Sequence, residues 1–221
     1  MVDKYQVDIS IDDETLAIIE NDNLKLYAFR AVKGPSSGKP LVWYSPAKIL
    51  NGTIISWSVN YGAFHSITDL NATAEFHSIT SKVIDLGQSM VVNSGTTDVT
   101  NDGTEGTISI VNNDTDDCNC GISEYKDGKF NPMCAFPLRR HFTDEITPLQ
   151  KVALMLAGPV IKTATVVERS LGPGIVIDLT NNHERTVSYS MDDAWDADTK
   201  GDSVEFKSNS KMNPLLINPA T

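Results

Sequence analysis

Between Tyr5 and Ile11 apolar and polar side chains alternate, Tyr-Gln-Val-Asp-Ile-Ser-Ile, and a period of two is what a strand with one buried face requires. The same alternation returns at Ile55-Ser56-Trp57-Ser58-Val59-Asn60-Tyr61. β-Branched or apolar runs at 24–32, 82–86, 106–111, 163–168, 174–179 and 185–191 extend the series. Turn-forming groups stand between them: Gly34-Pro35-Ser36-Ser37-Gly38, Asp102-Gly103, Asp127-Gly128, Gly172-Pro173-Gly174 and Asn181-Asn182. Many short strands parted by such turns predict an all-β protein, an antiparallel β-sandwich or two packed β-subdomains, with at most one short helix near 148–157.

That segment reads two ways. Thr147 as N-cap, Pro148 at the first helical position, Gln150 three residues after the cap and the Gly158-Pro159 stop fit a helix. Val152, Leu154 and Leu156 alternate as a buried strand does, and the nearly continuous apolar character among β neighbours favours the strand. From 93 to 119 the chain turns rich in Asn, Asp, Thr and Gly around Ile108 and Ile110, which reads as two surface loops flanking a strand. No flexible Pro/Ser linker marks a boundary there, so a single β-rich domain over 1–221 is expected, with 1–100 and 101–221 as the two-part alternative.

Apolar residues make up 40% of the 221 and charged residues 21%, enough for a core and far from the signature of disorder. The 18 Lys and Arg against 29 Asp and Glu leave a net charge of −11, whose field repels phosphate backbones and anionic headgroups and argues against nucleic acid as a partner. The Arg139-Arg140-His141 cluster reads as a solvated turn. Met1 to Asp8 carries neither a basic n-region nor an apolar h-region, and no run reaches the roughly 18 to 20 apolar residues of a membrane span. The expected location is cytoplasmic, or outside the cell by a route without a classical signal peptide. Asn51-Gly52-Thr53, Asn71-Ala72-Thr73 and Asn113-Asp114-Thr115 match the glycosylation pattern, which matters only in a secretory compartment. Three cysteines, Cys118, Cys120 and Cys134, rule out a disulfide scaffold and leave room for one bridge from Cys134 to Cys118 or Cys120.

Several groupings could carry chemistry. Phe64-His65-Ser66-Ile67-Thr68 recurs as Phe76-His77-Ser78-Ile79-Thr80, and a hairpin turning about Asn71 would set residue sums near 142 and place His65 opposite His77 as a metal or pH-switch pair. The plainer reading has both histidines on a solvated face. Cys118, Cys120, Cys134 and His141 supply four zinc-type ligands at a spacing unusual for a zinc knuckle. Asp192-Asp193-Ala194-Trp195-Asp196-Ala197-Asp198-Thr199-Lys200-Gly201-Asp202 gathers five carboxylates around one tryptophan. Lysines at the fifth and twelfth ligand places exclude an EF-hand, so no cofactor is expected other than calcium at a looser site of Asp196, Asp198 and Asp202. The same loop reads as a sugar site in which Trp195 stacks on a ring face and Asp193, Asp196 and Asp198 accept hydroxyl protons, with Trp43-Tyr44 beside a Gly/Pro turn as further ligand-binding aromatics.

Catalytic templates are missing: there is no P-loop, G-x-G-x-x-G or H-E-x-x-H, and the G-x-S-x-G string Gly34-Pro35-Ser36-Ser37-Gly38 belongs to the Gly/Pro/Ser turn group named above. The leading expectation is therefore a non-enzymatic binding protein, lectin-like or toxin-like, that recognises a glycan or a membrane-surface receptor. A self-associating structural protein forming homo-oligomers is the second reading, with Asn213-Pro214-Leu215-Leu216-Ile217 docking on its own core or on another subunit. A carboxylate-dependent hydrolase is the third.

Overall fold

The computed structural model describes residues 4–71, 73–77, 80–94, 96–158 and 161–219, apart from the Lys200 side chain. Met1 to Asp3, Ala72 of the second glycosylation pattern, Ser78 and Ile79 of the repeat, and Pro159 lie outside them. In chain order the strands are β1 (Lys4–Ile11), β2 (Lys25–Lys33), β3 (Lys39–Pro40), β4 (Thr53–Ser58), β5 (Tyr61–Ser66), β6 (Thr80–Ile84), β7 (Gln88–Asn93), β8 (Thr96–Thr100) and β9 (Ile108–Asn112). They continue as β10 (Cys118–Lys126), β11 (Lys129–Pro132), β12 (Cys134–Leu138), β13 (Thr143–Ala157), β14 (Gly174–Asp178), β15 (Glu184–Ser190), β16 (Ala194–Ala197) and β17 (Ser203–Phe206). Two helices join them, α1 (Asp13–Asn21) and α2 (Asn213–Leu216).

The fold is all-β and sandwich-like. A first sheet runs β16-β15-β1-β4, a second β3-β12-β10-β5-β6 with β11 on β10, and a third β17-β14-β13-β9-β7-β8 with β2 on β13. Strands from before and after residue 100 pair with one another, β1 with β15, β5 with β10, β2 with β13 and β7 with β9. The first sheet shows how the period of two becomes a face. Tyr5, Val7, Ile9 and Ile11 of β1, Ile55 and Trp57 of β4, and Val187 and Tyr189 of β15 all point into one apolar cluster. Gln6, Asp8, Ser10, Ser56, Thr186 and Ser188 alternate with them on the other face. The same cluster takes in Met90, Ile108 and Ile110 from the third sheet and Ile122 and Phe136 from the second, so this largest core cluster lies where the three sheets meet.

The 148–157 segment is strand, as its alternation favoured: β13 runs 15 residues, with Val152, Leu154 and Leu156 buried. Two expectations need correction, the place of the helix and the purely antiparallel pairing. The helices stand elsewhere. α1 starts on Asp12, whose carboxylate accepts from the Thr15 N–H at 2.7 Å and the Thr15 hydroxyl at 3.0 Å, while Asp13 and Glu14 in the first turn complement the helix dipole. Leu16 and Ile19 turn its apolar side to the core. α2 follows Met212 with Pro214 in its first turn, and it docks the terminal segment on this chain's own core: Leu216 and Ile217 are buried, and Asn213 donates to the Gly38 carbonyl at 2.6 Å. The pairing is also not wholly antiparallel, since β1 lies parallel to β15 and β7 parallel to β9. In each case the partners are joined by a crossover and not by a tight hairpin, which frees them from the antiparallel arrangement. Among the described residues no helix is long and apolar enough to cross a membrane.

Candidate functional site

At one end of β10 the chain turns through Asp127-Gly128, with φ of 52° and 86° and Lys126 paired to Lys129. Positive φ at both central residues makes this a two-residue turn whose twist matches its strands, and Asp-Gly is the sequence that tolerates it. The Tyr125 N–H donates to the Asn60 carbonyl at 2.9 Å and ties the hairpin to the β4–β5 connection. Between them opens a cleft of about 280 Å3 lined by Ser56, Trp57, Ser58 and Asn60 on one side, Tyr125, Lys126 and Asp127 on the other, and Lys4 of β1. Tyr125 is 42% exposed and leans edge-on against Phe130 across the hairpin, with ring centroids 5.3 Å apart.

Charge in the cleft is organised. Lys126 donates to Asp127 at 3.1 Å and carries its ammonium 4.8 Å from the centre of the Tyr44 ring. Burial disfavours an ionised Asp127, but the bonds from Lys126 and the Tyr44 hydroxyl, with the nearby charge of Lys129, outweigh it and hold the carboxyl below its ordinary range. Tyr44 moves the opposite way, raised by burial and by the Asp127 charge its hydroxyl faces.

Behind the cleft lies a heavily bonded buried ion pair. Arg30 of β2 and Glu124 of β10 are both fully buried; the Arg30 Nε donates to Glu124 Oε2 at 2.9 Å and Nη2 reaches Oε1 at 3.5 Å. The Pro148–Val152 irregularity in β13 brings two further acceptors to Arg30: the Lys151 carbonyl at 3.1 Å and Gln150 Oε1 at 3.0 Å. Gln150 in turn donates to the Tyr61 hydroxyl at 3.2 Å, and burial together with the Glu124 charge pushes the Tyr61 phenol up to about 12. Burial also raises the Glu124 carboxyl, against the pull of Arg30. The guanidinium carbon sits 4.4 Å from the centre of the Trp57 ring and 5.7 Å from that of Trp43, and the two indoles meet edge to face at 5.6 Å. One arginine thus joins β2 and β13 of the third sheet to β10 of the second and β4 of the first, and it fixes the wall on which Trp57 stands.

The predicted site residues fall in other places. Trp195 is 2% exposed: it belongs to the inward register of β16, packs on Tyr189 at 5.0 Å and donates to the Pro173 carbonyl at 3.3 Å, so its ring is not free to stack on a sugar. Trp43 is likewise sealed inside the core, while its neighbour Tyr44 is half-buried with the Lys126 ammonium over its ring. The acidic segment does border an open groove of about 550 Å3, where Asp193 and Asp196 meet Asp12, Glu205 and the hydroxyls of Ser10 and Ser188. The proposed calcium ligands do not converge there. Asp196 faces outward, Asp198 accepts from the Thr186 N–H at 3.1 Å, and Asp202 is ion-paired with the buried Arg185. Among the described residues no three acidic, histidine or cysteine side chains form a group able to hold a metal ion.

The histidine pair is also separated. β5 and β6 pair with residue sums of 145, placing Thr80 and not His77 opposite His65. The reason is that 73–76 does not fold back in a tight hairpin. Thr73 and Phe76 donate their N–H groups to the Val166 and Ala164 carbonyls, and among the described residues β6 pairs with β5 from Thr80 onward. His65 is buried beside Cys120 of β10, and His77 is exposed. The cysteines are free thiols: Cys120 donates to Asp144 Oδ2 at 3.6 Å, and burial pushes Cys118 up to about 11 and Cys134 up to about 12, which keeps them protonated and unreactive. His141, the fourth member of the zinc reading, stands exposed in the turn after Arg139 and Arg140.

Sequence reasoning passed over Trp57, Tyr125, Lys126, Asp127, Arg30 and Glu124. The signal that could have found the last two is a charge inside an otherwise apolar strand, Arg30 in Leu26-Tyr27-Ala28-Phe29-Arg30-Ala31-Val32, because a buried charge demands a partner elsewhere in the fold. Compared with protein-family models, curated proteins and solved structures, the chain matches none.

Proposed function

We propose that the protein is a non-enzymatic binding protein that takes a glycan in the cleft between β4 and the β10–β11 hairpin. The observation that carries this reading is the exposed ring of Tyr125 in a cleft also lined by Ser56, Ser58, Asn60, Lys126 and Asp127, with the buried Trp57 in the wall behind them. A sugar presents an apolar C–H face and a rim of hydroxyls. An aromatic ring takes the first, and a few placed donors and acceptors take the second. The volume lies at the lower end of ligand pockets, about 300 Å3, which suits one sugar residue of a longer chain. Asp127, bonded to Lys126 and held ionised by the groups around it, serves here as a fixed acceptor and not as a proton carrier. The rigid two-residue turn and the Arg30 brace hold both walls in place before a ligand arrives, which lowers the ordering cost of binding.

A glycan array followed by titration calorimetry tests this. Tyr125→Ala should weaken every glycan the protein binds by about tenfold or more, equivalent to about 1.4 kcal/mol, with the unfolding midpoint unchanged. Presenting the same glycan on liposomes tests whether its source is a membrane-surface receptor. Silence across the array, or undiminished binding by Tyr125→Ala, would overturn the reading.

A further inference from the structure

We infer that the glycan taken by this cleft is an acidic one, whose carboxylate or sulfate group is held by Lys4 and Lys126. The inference rests on the binding reading above and adds the ligand's chemical class. The chain holds 29 acidic residues against 18 basic ones, yet the cleft is lined by two lysines and one carboxylate. That carboxylate is already answered, since Asp127 accepts from Lys126, with Lys129 adding its charge nearby. The Glu124 charge beneath is matched by Arg30. Lys4 is exposed on β1, opposite Ser58, and makes no ion pair among the described residues.

Lys126 is only 12% exposed, and the bond to Asp127 takes up one of the three donors of its ammonium. A neutral sugar gives such a group a hydroxyl in exchange for water. An anionic one gives a charge-assisted bond, which is about twice as strong. The overall charge of −11 does not oppose this, because carboxylates beyond a Debye length of about 8 Å are screened at physiological ionic strength and the local lysines decide. The acidic groove beside Trp195 has the reverse character, with Asp12, Asp193, Asp196 and Glu205 along its walls and no lysine or arginine among its lining residues.

The test is calorimetry on the full chain with 3′-sialyllactose against lactose, and with a sulfated and a glucuronate-containing disaccharide against their neutral parents. The acidic member of each bound pair should bind about tenfold tighter, and the gap should narrow as sodium chloride rises from about 0.05 to 0.5 M. Lys4→Ala, at an exposed position, should shrink the preference. Lys126→Met should shrink it further and Lys126→Arg should restore part of it, while Tyr125→Ala should weaken acidic and neutral sugars alike. Neutral parents binding as tightly as their acidic forms, with Lys4→Ala without effect, would overturn the acidic class and leave the cleft standing as a sugar site. No binding of either kind would overturn the cleft itself and this inference with it.

Discussion

The acidic groove beside Trp195 and the cleft at the Asp127-Gly128 turn both draw on the outer face of the first sheet, are both polar and open to solvent, and are built on opposite plans. In the groove the charged residues are all carboxylates, Asp12, Asp193, Asp196 and Glu205. Its aromatic residue, Trp195, is turned inward. In the cleft the charges are fewer and of both signs, an aromatic ring faces outward, and the residues come from three separate strands and a turn. Behind the cleft stands a buried ion pair bonded on every side, whereas the floor of the sheet face is plain hydrophobic packing of Val7, Ile9, Val187 and Trp195. Density of functional-looking residues along the chain is therefore a poor guide to a site. Convergence of unlike groups on a rigid support is a better one.

The comparison breaks most readily at its support. Arg30→Met should lower stability by about 3–5 kcal/mol, because it leaves Glu124 buried without a partner, and adding Glu124→Leu should recover most of the loss. Urea unfolding followed by tryptophan fluorescence reads both, and a single variant as stable as the parent would show that the pair braces nothing. Next in size, Trp195→Ala should cost about 3–4 kcal/mol as a core truncation and leave glycan affinity of the folded fraction unchanged. Loss of affinity at unchanged stability would instead make Trp195 a ligand platform and reverse the comparison. Gly128→Ala forces a side chain onto a backbone at φ 86° and should cost about 1–2 kcal/mol, with sugar affinity falling as the hairpin shifts. The smallest effect belongs to the sheet face, where Asp196→Asn should change stability by less than about 0.5 kcal/mol.

A region apart from both supplies a pH control. Burial depresses the His65 imidazole below its ordinary 6.5, with the Asp114 charge acting weakly the other way. The unfolded chain then binds a proton that the folded one refuses, so stability should fall as pH drops below 6.5 and level off once folded His65 titrates too. His65→Asn should flatten that limb. On the alkaline side Cys134, raised to about 12 from 9.0, contributes stability that is complete below pH 9 and lost as pH rises toward 12, and Cys134→Ala should reduce that loss.

Much of the fold was legible where one face of a strand is wet. β1, β4 and β15 show clean alternation because their polar residues meet solvent, and Asp127-Gly128 announced its turn through the conformations only such residues accept. β13 was legible through Val152, Leu154 and Leu156 once the apparent cap at Thr147 was set aside. α1 was not, although Asp12, Asp13 and Glu14 carried its start signals, because a helix of nine residues shows too few turns to establish a period against its β neighbours. The histidine register failed by three positions because it assumed a tight hairpin, and the long-range bonds of 73–76 to 164–166 have no trace in the local sequence.

Alternation, turn chemistry and charge are local properties, and from them the sequence by itself determined that this protein is all-β, acidic and rich in short strands. Burial of each tryptophan, the partner of each charge and the position of the cleft were decided only by the tertiary structure. Arg30 and Glu124 stand 94 residues apart, and Trp57 and Tyr125 come from different sheets. Their meeting depends on how three twisted sheets pack and on the register of each, and no pattern along a single strand contains that information.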